Sequence, residues 1–425
     1  MGIILQNGKL LNQAGELIKQ DILIEDGKIS AIAEQINPAG HEIIDAADKF
    51  VSAGFIDVHV HLREPGFEAK ETIATGAASA VRGGFTTVAC MPNTRPVIDT
   101  VETVELIKNK AMEAGKARVI PYGSITVREL GKDLTDFAAL KEAGIFALTD
   151  DGVGVQSSDM MRTAMRKAKE LGLSIVAHCE DEALVPHGSA LHEGAVSAKH
   201  GLPGIPSLSE SIHVGRDILL AEETGAHYHV CHISSKESVR LVRDGKRAGI
   251  NVTAEVTPHH LLLCDEDIPE NLDTRWKMNP PLRAKEDRAA LIAGLKDGTI
   301  DMIATDHAPH TEEEKAKGID RAPFGIVGLE TAFPLMYTHL VLTGELTLAE
   351  LVEKMAKVPG QVFNLPQGEI AEGKPADLVV IDLETEKEIN PDEFASKGRN
   401  TPFFGWKCKG WPVLTIVNGT VVYNG

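Results

Sequence analysis

His59 and His61 stand two residues apart in Asp57-Val58-His59-Val60-His61. A strand sends alternate side chains to one face, so both imidazoles aim at one point, and two neutral imidazoles so placed suit a zinc ion. The pair alone is weak evidence, because histidines on an edge strand are often simply solvated. The surrounding run, 53–66, is a short apolar strand that ends in polar residues and a Pro65-Gly66 turn signal, which gathers polar groups at the strand's C-terminal end.

Other apolar runs end the same way. Asp150-Asp151 follow 145–149, His178 ends 174–178, His232 lies near the end of 227–233, and Asp306 follows 301–305. One strand-end histidine or aspartate is more often a hydrogen-bonded structural group; six at one rim are a different matter. Four imidazoles and two carboxylates exceed the three protein ligands of an open zinc site, so the set reads as a two-metal site in which one group bridges. Which of Asp150 and Asp151 faces inward stays open. Arg63, two residues past His61, is placed to fork its guanidinium onto a substrate carboxylate, although a surface arginine linking loops fits the same position.

These side chains need a scaffold that brings distant strand ends together. Eight candidate strands, 55–60, 86–91, 118–124, 145–149, 174–178, 227–233, 251–256 and 301–305, alternate with amphipathic stretches such as 71–81, 101–114, 159–170, 209–223 and 235–246. Repeated βα units predict an α/β fold with a parallel sheet, and functional groups after several strands favour a (β/α)8 TIM-like barrel over a doubly wound sheet, which would gather them at one switch point. No Gly-x-Gly-x-x-Gly follows the first strand. Both ends of the chain are strand-rich and punctuated by Asn7-Gly8, Asp26-Gly27 and Asn418-Gly419, which read as hairpin turns. The expected organisation is a barrel over 53–364 and one small β-rich, sandwich-like domain built from 1–52 together with 365–425.

The net charge of −19 argues against nucleic acid or an anionic membrane as partner, and 43% hydrophobic with 25% charged residues is ordinary for a globular protein. No apolar run approaches a membrane span and the start does not resemble a secretory signal, so a cytoplasmic location is expected. Cys90, Cys179, Cys231, Cys264 and Cys408 form no Cys-x-x-Cys and read as reduced, buried thiols. By strand alternation Cys179 and Cys231 turn outward against helices, and His229 points away from His232. The glycine-bearing segment 152–158 reads as an ordinary βα loop, with a mobile lid as the alternative.

The sequence resembles the cyclic amidohydrolase (metallo-dependent hydrolase) superfamily and, within it, the bacterial type I dihydroorotases. The resemblance runs through 57–66, Met91-Pro-Asn-Thr-Arg-Pro96, Thr149-Asp-Asp-Gly-Val-Gly154, Ala177-His-Cys-Glu180, Cys231-His-Ile-Ser234, Thr257-Pro-His-His260, Met278-Asn-Pro-Pro281, 304–310 and Pro323-Phe-Gly325. It implies a zinc enzyme that reversibly cyclises N-carbamoyl-L-aspartate to L-dihydroorotate plus water, the third step of pyrimidine synthesis. It implies that His59, His61 and Asp306 hold one zinc, His178 and His232 a second, and that Asp151 and a hydroxide bridge them, with Asp306 as proton shuttle. Arg63, Asn93 and His310, with His61, would grip the substrate carboxylate side, and Asn279, Phe324 and Gly325 the ureide ring. Many relatives bridge with a carboxylated lysine after strand four; here only Lys141 is near, on the preceding helix. The rival activities are allantoinase or hydantoinase, whose substrates lack the ring carboxylate, and a silent scaffold for aspartate transcarbamoylase, which the complete ligand set disfavours. Homodimer formation and association with that transferase are implied by family behaviour alone. His259 and His260 are expected to be structural, and His307 to face the helices.

Overall fold

The computed structural model describes residues 2–425. Ile3–Leu11, Leu17–Glu25 and Lys28–Ala33 form an antiparallel meander. Asp26 and Gly27 both take positive φ (48° and 75°), the two-residue turn whose twist matches the flanking strands, and Asn418-Gly419 repeat it between Trp411–Val417 and Thr420–Asn424. Asn7-Gly8 is different. It lies inside the first strand at a register shift, with Asn7 at φ 65° and its N–H donated to Asp21 Oδ1 at 2.8 Å, so the expected turn is a bulge.

Strands from both ends of the chain share one sheet, in the order 420–424, 411–417, 378–382, 50–53, 3–11, 17–25, 28–33, with Glu42–Asp45 also paired to the first strand. Its core is aliphatic, with Ile4-adjacent Leu5, Ile22, Ile24, Leu378 and Ile416 buried together. Phe50–Ala53 in that sheet runs through Gly54 directly into Phe55–Val60, the strand that carries His59. Gly54 allows the handover: a Cβ there would lie 2.1 Å from Thr86 Cγ2.

In the middle of the chain Phe55–Val60, Phe85–Cys90 and Arg118–Pro121 pair in parallel, as do Ile175–Ala177, Tyr228–Val230, Val252–Val256 and Met302–Ile303. The expected strand 145–149 is reduced to Leu148, which bridges Gly123 on one side and Ile175 on the other. His307 pairs with Val60, so the parallel pairings return to the strand from which they began. The helices Ile73–Arg82, Val101–Ala114, Ser158–Leu171, Ser207–Thr224 and Lys236–Arg247 lie within two residues of their expected bounds. Side chains capping the first turns, Thr72, Thr100, Ser157 and Ser235, explain four of these starts, whereas Ser207–Thr224 follows Pro206 without a side-chain cap.

Two small apolar clusters fill the space enclosed by the parallel strands: Ala89, Met91, Tyr122, Ala147, Val176 and Cys231, and Ile56, Val58, Met302 and Ala304, with Phe146 and Phe363 touching both. Cys231 is therefore an interior residue, contrary to the alternation argument. Cys179 belongs to the larger outer cluster, 3.0 Å from the Tyr228 hydroxyl. All five cysteines are free and buried. Among the described residues no helix is long and apolar enough to cross a membrane.

Phe333, fully buried, stacks on Phe55 at 5.0 Å between ring centroids, and Phe85 meets Phe55 edge-on at 5.7 Å. This triplet holds the start of the His59 strand. Truncating Phe333→Ala is expected to cost about 3–5 kcal/mol of stability, read from urea or guanidinium midpoints; a loss below about 1 kcal/mol would show that the site collapses around the gap.

Candidate metal centre

The strand Phe55–Val60 delivers His59 wholly buried, and His61 follows just beyond its end. Their rings lie 5.5 Å apart, His59 lies 5.0 Å from His232, and His232 lies 4.9 Å from His178. Potential ligand atoms gather within 4.8 Å of one another in three overlapping groups at this rim: His59, His61 and Asp151; His59, His232 and Asp306; and Asp151, His178 and His232. His59, Asp151 and His232 each belong to two groups, so the six side chains form one continuous cluster. A fourth group, His59, Cys231 and Glu255, lies on the other side of His59.

His232 reaches the cluster because the chain leaves the strand before it. Tyr228–Val230 ends two residues earlier and His232 takes φ 28°, so alternation no longer applies, and Cys231 and His232 both serve the interior. His229 is not remote either. Its Nε2 lies 3.1 Å from Glu255 Oε2, and Glu255 Oε1 lies 2.7 Å from His59 Nδ1 and accepts from the His232 backbone N–H. Glu255 orients His59 so that its Nε2 faces Asp151 and Asp306, at 3.5 and 3.4 Å. Glu255 belongs to none of the sequence motifs. The available signal was a lone glutamate in the apolar run 252–256, whose burial demands partners.

The two aspartates after 145–149 separate cleanly. Asp150 turns away and accepts from Ile125 N–H at 2.8 Å, Thr126 N–H at 3.0 Å and the Thr126 hydroxyl. Asp151 faces the imidazoles, and Asn93 donates to its Oδ2 at 3.0 Å while receiving from His61 Nδ1 at 3.1 Å. His61 Nε2 is thereby left for Asp306 Oδ1, 3.0 Å away. Lys141 lies on Phe137–Ala143 and spends its ammonium on the Leu171 carbonyl.

The donor set fits divalent cations. His59 Nε2, Asp151 Oδ1, His178 Nε2 and His232 Nδ1 are all buried without a hydrogen-bond partner, an expensive arrangement for four polar atoms in one place. Electrostatics agree. Burial opposes charge on His59, yet Glu255, with Asp306 and Asp151, holds its pKa well above the ordinary imidazole value. Burial and the neighbouring His178 and His59 push His232 well below it, which keeps that ring a neutral donor. Burial raises and the facing His59, His61 and His178 lower the Asp151 carboxyl, with a net fall. Burial likewise raises Glu255, but His59 and His229 bring it down to about 2. A rim that attracts positive charge this strongly and offers bare lone pairs is suited to metal.

Arg63 flanks the cluster, with Nε donating to the Pro309 carbonyl at 3.2 Å and Nη2 3.2 Å from His310 Nε2; burial lowers its pKa to about 10, still cationic at neutral pH. His310 is pushed far below the ordinary imidazole range by burial and by Arg63 and Lys70, so it is neutral. Its Nε2–H donates to the Phe324 carbonyl at 2.7 Å and its Nδ1 receives from Lys70. Lys315 stands behind this loop, donating to the carbonyls of Thr274, Lys277 and Pro323. Asn279 Oδ1 is buried and unpartnered. His260 is satisfied by Thr257 and the Pro280 carbonyl, whereas the buried His259 Nε2 has no partner. His307 faces Glu71, away from the cluster. The 152–158 segment is tied to its surroundings through Gln156 to the Glu180 carbonyl and Arg216 to the Val155 carbonyl.

A family model described as Dihydro-orotase-like matches residues 48–238. The chain is 74% identical to the dihydroorotase of Brevibacillus brevis over the full length of both, and 61% identical to that of Halalkalibacterium halodurans, covering all of this chain and 99% of the relative. Among solved structures it is similar to the L-hydantoinase (dihydropyrimidinase) of Arthrobacter aurescens, with 27% identity and a TM-score of 0.86 over 99% of this chain and 96% of that one. The D-hydantoinase of a Thermus species gives 28% identity and the same TM-score over 99% and 95%. Near-complete coverage at such identity, together with a clustered His and Asp rim, places the chain in the dihydroorotase family.

Proposed function

We propose that the protein is a metal-dependent dihydroorotase, interconverting N-carbamoyl-L-aspartate and L-dihydroorotate in pyrimidine synthesis. The observation that carries the reading is the juxtaposition of Arg63 with the His and Asp cluster: a half-buried guanidinium for a carboxylate beside a rim suited to hydrolysing a cyclic amide. In this reading the cyclic series of parallel pairings over 53–364 is a (β/α)8 barrel, and 1–52 with 365–425 form the β-rich domain. His59, His61 and Asp306 would hold one zinc ion and His178 and His232 a second, with Asp151 joining them.

Zinc bound there supplies Lewis-acid polarisation of the ring carbonyl and lowers the pKa of water toward about 7. The chain's own groups do the rest. Arg63 orients the substrate by its carboxylate, toward which Asn93 and His310 would turn a donor now bonded to Asp151 and to the Phe324 carbonyl, and Asn279 with Phe324 and Gly325 flank the ureide ring, so that the scissile amide faces Asp306. Asp306 takes the proton of the attacking water and delivers it to the departing ring nitrogen; in the closing direction it removes that proton. Before substrate arrives, the neutral His310 donates to the Phe324 carbonyl, which fixes the loop edge. Hydantoins and allantoin carry no ring carboxylate and leave Arg63 unused, which separates this reading from the hydantoinase one.

Three outcomes test it. Asp306→Asn should cut turnover of dihydroorotate by about 10²–10⁴-fold while substrate still binds; near-wild-type turnover would remove the shuttle role. Arg63→Ala should raise KM for dihydroorotate by about 10–100-fold, and an unchanged KM, or faster turnover of hydantoin than of dihydroorotate by the wild type, would favour the other ring amidases. Dialysis against a chelator should abolish activity and zinc should restore it, with metal analysis finding more than one equivalent at saturation; full activity in the metal-free protein would end the metal reading.

A further inference from the structure

Residues 395–401, far along the chain from the catalytic loops, run directly behind them. Ala395 and Ser396 donate backbone N–H groups to Glu330 at 3.0 and 3.1 Å, and Lys397 N–H and the Ser396 hydroxyl reach Glu71. Thus anchored, the segment presents Asn400, which is 3% exposed and is neither a metal-cluster member nor a residue of any motif in the sequence. Its side chain uses both ends. Oδ1 accepts from the His310 backbone N–H at 3.1 Å, and Nδ2 donates to the Ala308 carbonyl and to the Gly325 carbonyl, each at 3.0 Å. Its own carbonyl receives from Val327 N–H at 3.0 Å.

Those contacts join the two loops that, in the dihydroorotase reading, flank the seat of the substrate carboxylate. The 308–310 turn carries His310 and offers the Pro309 carbonyl to Arg63 Nε, and the 323–325 turn carries the Phe324 carbonyl that His310 Nε2 bonds. The fit is close: a Cβ on Gly398 would lie 2.8 Å from Pro309 Cβ, and one on Gly325 would lie 2.7 Å from Ala308 Cβ. Neither loop contributes more than a few residues of regular structure here, so their spacing depends on what ties them together.

We infer that Asn400 is a positioning residue for substrate recognition, an amide clamp from the C-terminal segment that sets the distance between the His310 and Gly325 loops and thereby the seat of the substrate carboxylate. The inference deepens the dihydroorotase reading and rests on it. An amide is required because the site needs one acceptor and two donor hydrogens on a single planar group. Aspartate has the same shape but would turn an oxygen toward two carbonyls.

The test compares Asn400→Asp and Asn400→Ala with the wild-type enzyme in steady-state kinetics, metal content and amide hydrogen exchange. Both variants are expected to raise KM for dihydroorotate about tenfold or more, with kcat within about threefold and metal content unchanged. Exchange should accelerate in peptides covering 308–311 and 323–327. The isosteric aspartate guards against a packing explanation: wild-type KM and exchange in Asn400→Asp, or a loss of metal with kcat falling at constant KM, would overturn the clamp. A wild-type enzyme inactive on dihydroorotate would count against the functional reading alone, since the exchange arm still decides whether Asn400 couples the loops.

Discussion

Three carboxylates, Glu255, Asp151 and Asp306, are buried at one rim among imidazoles, and balancing their charge organises the rest of the site. Taking a carboxylate out of water costs several kcal/mol unless opposite charge and hydrogen bonds compensate. Glu255 is compensated by two histidines and a backbone N–H, which fixes the ring of His59. Asp151 and Asp306 are compensated only in part, by imidazoles at 3.0–3.5 Å and, for Asp151, by the Asn93 amide, and several lone pairs remain bare. That residue of unmet negative potential suits the rim to cations and distinguishes it from a satisfied polar core.

The same device, a buried carboxylate receiving backbone N–H groups, recurs in the supports around the site. Asp57 accepts from the N–H groups of His59 and Thr305, tying the first strand of the series to the last. Asp150 holds 125–126, and Glu210 holds the turn at Ser234 and Ser235 just beyond His232, with Arg283 donating to the Ser234 hydroxyl. Glu71 links His307 to the C-terminal segment. Charge-assisted hydrogen bonds of this kind are stronger than neutral ones and are well suited to loops, which lack ladders of their own. A rim composed largely of residues at and beyond strand ends is thereby held in a fixed geometry.

Where the sequence was legible, short-range periodicity was intact. His59 and His61 share a face because the strand is regular up to Val60, and helices begin where a Thr or Ser side chain caps the first turn. The reading failed where the backbone departs from its period. The positive φ of His232 broke the alternation that had sent Cys231 outward and set His229 apart, and the bulge at Asn7-Gly8 imitates a hairpin because both need a residue at positive φ. The run 145–149 looks like a strand and is bonded on both sides, yet only Leu148 forms bridges. Glu255 and Asn400 carried no motif, since their roles arise from partners on other segments of the chain, 23 to 196 residues away.

The chain by itself determined which histidines and aspartates are on offer, the alternation of strands and helices, and, through its motifs, the family to which it belongs, because these follow from residue type and local spacing. Tertiary structure alone decided which of Asp150 and Asp151 faces the imidazoles, which nitrogens are left bare, and how Glu255 and Asn400 serve the rim. The physical reason is that a hydrogen bond or an ion pair depends on distances of a few ångströms in space, and separation along the chain carries no record of those distances once the backbone has turned.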